Sequence, residues 1–189
     1  MRKSNSSPQT FITSLADKAG MMMVFLLLFV GCSLFVENFF SLINMKGLAL
    51  AVSMSGMVAC TMLFCLAAGD FDLSIGSVVA CAGVMAAVVI NLTTSVTLGI
   101  GAGILLGGFV GAINGVVIAK FKINALITTL ASMQIVRGLG YIVSNGKAVG
   151  ISQEKFFLLG NSNWLGIPAP AWMTLACFLF FGFLLHHTP

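Results

Sequence analysis

Long apolar stretches separated by short polar ones dominate this chain. The apolar segments run approximately over residues 19–36, 47–69, 73–90, 96–119, 123–143 and 170–187. The 47 residues from Leu73 to Ala119 contain no charged side chain, and a membrane-spanning helix needs about 20 apolar residues. The pattern therefore predicts an all-α fold, a polytopic bundle of about six transmembrane segments.

Composition excludes several classes of protein. The chain is 59% hydrophobic and only 7% charged, with a mean hydropathy of +1.08, far from the values of ordinary soluble domains. Lipid is therefore its expected surrounding. The net charge is +4, and its lysines and arginines occur singly or in pairs, without the basic face that binds nucleic acid.

The first 18 residues are polar and predict a cytoplasmic tail, followed by a membrane domain over residues 19–189. A signal peptide is the alternative, but its apolar region has about 7 to 15 residues, whereas this one continues to Val36. A cytoplasmic N-terminus also places more cations inside, as the positive-inside rule expects. On that assignment residues 144–169 form the largest external loop. The inner cations are Arg2, Lys3, Lys18, Lys120 and Lys122, and the outer ones are Lys46, Lys147 and Lys155.

The fourth apolar segment carries glycine at every fourth position. Because four residues advance a helix by slightly more than one turn, these glycines form one slowly winding stripe where another helix can approach closely. We expect helix packing there, and a solute path is the alternative. The glycines are Gly99, Gly103, Gly107, Gly111 and Gly115.

The stretch LAAGDFDLSIGS places Asp70 and Asp72 between two apolar segments. Asp72 is suited to cap a helix beginning near Leu73. The flanking Gly69 and Gly76 favour a broken or re-entrant element near residues 69–76. The carboxylates are thus candidates for capping and stabilising a hinge, or for contacting a solute or ion.

Other polar residues lie inside the apolar segments. Arg137 could pair with an aspartate only if a helix is broken. Hydroxyl and amide side chains can hydrogen-bond between helices or line a hydrophilic path. Together with Asp70 and Asp72, the candidate pathway or hinge residues are Ser74, Asn114, Thr128, Thr129, Gln134 and Arg137.

No catalytic or metal-binding motif is present in the sequence. The five cysteines lie singly in apolar segments and the two histidines are adjacent near the end, which does not indicate a metal site. A phosphate-binding loop of the Gly-x-x-x-x-Gly-Lys-Ser/Thr type is also missing. No enzyme activity or cofactor is predicted, and any ATP hydrolysis would belong to a partner.

GDFDLSIGS resembles the Gly-Gly-Ile-Asp-Leu-Ser-Val-Gly-Ser element of bacterial sugar ABC permeases, the membrane subunits of ribose, xylose, galactose and arabinose importers. The stretches from Asn44 to Ser74 and from Lys122 to Ile151 are similar to the arabinose-transporting members in particular. Asp72 matches the common aspartate of the family, and Asp70 departs from it. Family members have about ten helices, so the resemblance implies an N-terminal fragment.

The resemblance implies a multi-pass subunit of the bacterial inner membrane that moves a monosaccharide, L-arabinose being favoured. Its implied partners are a second permease copy, a periplasmic sugar-binding protein and a cytoplasmic ABC ATPase. An ion-coupled secondary transporter using Asp70 or Asp72 is the alternative. A membrane-embedded enzyme is a second and weaker alternative.

Overall fold

The computed structural model describes the backbone of residues 8–187, with side chains from residue 19 onward except Leu159. Helices dominate this part of the chain, which confirms the all-α prediction. A small antiparallel hairpin joins β1 (Asn163–Trp164) to β2 (Ile167–Pro168). The helices are α1 (Pro8–Phe35), α2 (Leu42–Ala67), α3 (Ile75–Thr93), α4 (Val96–Phe121), α5 (Ala125–Ser144), α6 (Glu154–Asn161) and α7 (Ala169–His187).

Five of the described helices are long and apolar enough to cross a membrane: α2, α3, α4, α5 and α7. They have 19 to 26 residues, or about 28 to 39 Å at 1.5 Å per residue. The first predicted segment corresponds to a shorter apolar helix, Ala19–Phe35, within α1. Of the predicted tail, residues 1–7 lie outside the described part, and the backbone of residues 8–18 is already helical.

The chain divides into two compact units, and the first covers residues 1–48. Its described part contains α1 and the start of α2, joined by a turn rich in phenylalanine. The ring of Phe29 contacts those of Phe39 and Phe40 edge to face, with centroids 5.3 and 6.0 Å apart. Asn44 Nδ2 donates to the carbonyl of Phe39 at 2.7 Å, so the turn has both apolar and polar support.

In the second unit, residues 49–189, α3 packs against both α4 and α5. Many large apolar side chains point outward, including Leu105 and Ile104, which are 74% and 70% exposed. A soluble domain of this size rarely exposes so large an apolar surface. The unit therefore has the surface expected of a bundle surrounded by lipid.

The predicted break near residues 69–76 is present. Residues 68–74 are non-helical, and Gly69 has φ +86°, a backbone conformation that glycine adopts without strain. The helix that follows continues to Thr93, three residues beyond the predicted end at residue 90. At about 28 Å, α3 approaches the thickness of the hydrocarbon core.

The segment expected to be one long loop, residues 144–169, has its own structure. It contains α6 and the β1–β2 hairpin. Asn91 Nδ2, near the end of α3, donates to the carbonyl of Gly150 at 2.8 Å. That bond ties this segment to the last turn of α3.

Candidate functional site

Asp72 organises the turn that leads into α3. Its Oδ1 accepts from the backbone N–H of Ser74 at 2.8 Å and from the Ser74 hydroxyl at 2.6 Å. Capping of a helix starting near Leu73 was expected, but α3 starts at Ile75 and Ser74 occupies the N-cap position. That expectation is wrong in detail. Asp72 instead stabilises the residue before the helix, and its negative charge still lies near the positive end of the helix dipole.

Two neighbouring helices reach the same turn. Asn114 Nδ2 on α4 donates to Ser74 Oγ at 3.2 Å, and Ser74 and Asn114 are only 1% and 5% exposed. Thr129 Oγ1 on α5 lies 3.4 Å from the carbonyl oxygens of both Phe71 and Leu126. We call the set Phe71, Asp72, Ser74, Asn114 and Thr129 the polar junction.

The polar junction is recessed from the α4–α5 turn. Asn114 precedes the end of α4 by seven residues, and Thr129 follows the start of α5 by four. At 1.5 Å per residue these separations are about 10 and 6 Å. Within the described residues, no buried side-chain nitrogen or oxygen lacks a hydrogen-bond partner, as an apolar surrounding requires.

The remaining candidate residues lie apart from the polar junction. Asp70, Gln134 and Arg137 are exposed, and in the described part of the chain Arg137 forms no ion pair with either aspartate. Thr128 is buried, but its hydroxyl bonds within its own helix, to the carbonyl of Asn124 at 3.1 Å. The structure thus joins Asp72, Ser74, Asn114 and Thr129 and leaves the other four separate. No group of metal-ligating side chains occurs among residues 19–187.

The glycine stripe lies against α3 for only part of its length. A Cβ at Gly99 would lie 2.7 Å from the carbonyl oxygen of Ala86, and one at Gly103 would lie 3.1 Å from that of Ala82. Gly107 faces Val78 at an ordinary contact distance of 3.8 Å. Gly111 and Gly115 have no such neighbour within 4 Å.

Two further contacts between helices were not expected from the sequence. A Cβ at Gly140 on α5 would lie 3.7 Å from Cys81 on α3, and one at Gly56 on α2 would lie 2.8 Å from the Thr174 methyl group on α7. Thr174 Oγ1 also lies 2.9 Å from the carbonyl of Ser53. A single glycine in an apolar helix indicates that another helix can approach there, but it does not indicate which helix does so.

Comparison with known proteins places this architecture in a family. The model of the family described as branched-chain amino acid transport system / permease component matches residues 44–189. The chain is 66% identical over 172 residues to the L-arabinose transport system permease protein of Escherichia coli (strain K12), covering 91% of this chain and 52% of that protein. It is 50% identical over 177 residues to the L-arabinose ABC transporter permease protein of Azospirillum brasilense, covering 94% and 52%.

A more distant relative is the ribose import permease protein of Bacillus subtilis (strain 168), 32% identical over 175 residues, which cover 92% of this chain and 54% of the relative. The chain thus spans about half the length of the curated relatives it matches. No solved structure matches it. Because the family model covers more than half of the chain, the chain belongs to the branched-chain amino acid transport system / permease component family.

Proposed function

We propose that this chain is part of the membrane-spanning permease of an ATP-driven ABC importer that carries L-arabinose across the bacterial inner membrane. The observation that carries the proposal is the 66% identity, over 91% of this chain, to a permease named for L-arabinose transport. The identity to a ribose import permease is about half as high, which favours arabinose over ribose.

In this proposal the polar junction acts as a hinge, at which α3, α4 and α5 stay in contact while the helices tilt. An alternating-access carrier needs helices that tilt without separating, and a few hydrogen bonds at one level can hold them together. The break at residues 68–74 lets α3 move independently of α2, while Ser74, Asn114 and Thr129 keep its start on α4 and α5. Asp72 then stabilises a hinge and does not carry a proton.

The solute path needs polar groups that can form hydrogen bonds with a sugar. A neutral sugar is matched by hydroxyl and amide groups, and the exposed Gln134 on α5 is the candidate for transient contact. Asp70, which is exposed and lies outside the polar junction, is the candidate for a contact specific to the arabinose-transporting members of the family.

The energy source and the partners follow from the same proposal. A separate cytoplasmic ABC ATPase binds and hydrolyses ATP, so the permease itself has no cofactor. A periplasmic sugar-binding protein delivers the solute, and a second permease copy completes the pathway as a homodimer. The N-terminus is cytoplasmic, in agreement with the cations at Lys120 and Lys122.

The test is uptake of labelled L-arabinose by proteoliposomes that contain the full-length permease, its ATPase and its binding protein. We expect uptake that requires internal ATP and the binding protein, persists with a protonophore, and prefers L-arabinose to ribose. Uptake that needs no ATP and collapses with the proton gradient would contradict the proposal and favour the ion-coupled alternative. Asp72→Asn separates the two further, because a proton carrier loses all transport with that change.

A further inference from the structure

A groove of about 650 Å³ runs between α3 and α5, a volume within the range of small-molecule sites. We call it the α3–α5 groove. Its lining includes Leu73 in the turn before α3, Gly76 on α3, Met133 and Arg137 on α5, and Lys147 just beyond α5. It borders the break at residues 68–74 through Leu73, and none of the residues of the polar junction lines it.

The groove has an apolar end and a cationic end. Phe71 contacts Thr129 and Cys81 faces Gly140, so α3 and α5 run parallel with matched levels. Leu73, Gly76 and Met133 therefore line the end near the polar junction. Arg137 follows about 6 Å further along α5, and Lys147 lies beyond its last residue.

The two cations of the α3–α5 groove have no anionic neighbour. In the described part of the chain, neither the Arg137 guanidinium nor the Lys147 ammonium group makes a hydrogen bond or ion pair. No Asp or Glu lines the groove. Arginine and lysine offer only donors, and two uncompensated cations at a membrane favour an anion over a neutral ligand.

From this arrangement we propose that the α3–α5 groove binds an anionic phospholipid, with its phosphate between Arg137 and Lys147 and the start of an acyl chain along Leu73, Gly76 and Met133. A phospholipid has the same order of charged and apolar parts along the membrane normal as the groove. On the proposed orientation this lipid lies in the periplasmic leaflet, at the Ser144 end of α5, where its phosphate can form charge-assisted hydrogen bonds with both cations. The proposal does not depend on which solute the permease carries.

The experiment measures lipid affinity of the detergent-purified full-length permease by native mass spectrometry. Phosphatidylglycerol is titrated against phosphatidylcholine with the same acyl chains. We expect tighter binding of phosphatidylglycerol, weakened about fivefold by Arg137→Gln or Lys147→Gln and about thirtyfold by both, since an exposed ion pair contributes up to about 1 kcal/mol. Lys155→Gln is the matched control, because Lys155 is exposed on α6 and does not line the groove.

A second pair of variants tests the acyl end. Gly76→Phe fills the groove, because nothing lies within 4 Å of a Cβ built at Gly76. Gly83→Phe is its control, on the same helix, with the same open space and outside the groove. We expect only Gly76→Phe to weaken phosphatidylglycerol binding.

Several results would overturn the proposal. Equal affinity for the two lipids, or an equal loss in Lys155→Gln, would mean that the groove does not select a phosphate. Full displacement of phosphatidylglycerol by inorganic phosphate at similar concentration would indicate a free-anion site. Displacement by L-arabinose would make the groove part of the sugar path.

Discussion

At the scale of single residues, the hydroxyl of Ser74 connects two separate parts of the described structure. Its hydroxyl donates to Asp72 and accepts from Asn114, so one atom joins the α2–α3 turn to α4. Its side chain forms no hydrogen bond to the first turn of α3. Replacing Ser74 therefore tests the hydrogen bonds of the polar junction and not the capping of α3.

We expect Ser74→Ala to lower the free energy of unfolding by about 1 to 2 kcal/mol, because the Asn114 amide loses its partner while buried. Ser77→Ala is the matched control, since the Ser77 hydroxyl makes no hydrogen bond in the described part of the chain. Thermal unfolding of the detergent-solubilised full-length protein measures both. Equal losses of unfolding free energy in the two variants would contradict a stabilising role of the polar junction.

The two aspartates should respond differently. Asp72→Ala removes the acceptor of two hydrogen bonds, and we expect a loss of about 1 to 2 kcal/mol in unfolding free energy. Asp72→Asn keeps an acceptor oxygen and should lose less. Asp70→Ala should change stability by less than about 0.5 kcal/mol, as exposed substitutions usually do. The same unfolding assay compares them, and a larger effect at Asp70 than at Asp72 would reverse the assignment.

These bonds could be anticipated only in part. Ser74, Asn114 and Thr129 were candidates because polar residues in apolar segments need partners. Their pairing was not predicted, since the Asn114–Ser74 and Thr129–Phe71 bonds join residues 40 and 58 positions apart. Such bonds depend on how the helices pack, which residue type alone does not specify.

At the scale of helices, the glycine stripe explains why α3 and α4 come so close at one end. Each step of four residues turns the stripe by about 40°, so Gly111 has moved by about 120° from Gly99. Gly99 consequently lies against Ala86 and Ile90, while Gly111 has open space. The regular spacing was visible in the sequence, but the length over which it touches α3 was not.

Gly99→Ala should force α3 and α4 apart. The added Cβ would overlap Ile90 Cγ1 and lie 2.7 Å from the Ala86 carbonyl oxygen, and the backbone atom cannot move aside by itself. We expect a loss of about 1 to 3 kcal/mol, measured by thermal unfolding. Gly111→Ala is the control and should be neutral or slightly stabilising; an equal loss there would show that helix packing is not the cause.

The last turn of α3 should control the motion of the segment after α5. Asn91→Ala removes the side chain that bonds the Gly150 carbonyl. We expect faster amide hydrogen exchange over residues 146–153, because local opening becomes easier. Leu92→Ala, at a neighbouring residue that is 79% exposed, should leave the exchange unchanged. Identical exchange in both variants would mean that other contacts hold the segment.

At the scale of the whole molecule, the distribution of polarity is inverted relative to a soluble protein. The fully buried side chains of lowest exposure are Ile90, Thr129 and Ser74, two of them polar, while large apolar side chains lie outside. Hydropathy predicted six segments, five of which are helices long enough to span a membrane, and the break was predicted from Gly69 and Gly76 beside the two aspartates. It did not predict α6 or the hairpin, because those residues follow no apolar pattern.

One span fixes the relative position of two lysines. Lys122 precedes α5 and Lys155 follows it, and α5 has 20 residues, about 30 Å, the thickness of a hydrocarbon core. In a variant without the native cysteines, Lys155→Cys should react with an impermeant thiol reagent from the periplasmic side, and Lys122→Cys only after the membrane is opened. Both lysines are exposed, so burial does not bias the comparison. Reaction of both from the same side would mean that α5 does not cross the membrane, and reaction of Lys122→Cys alone would invert the orientation while keeping the span.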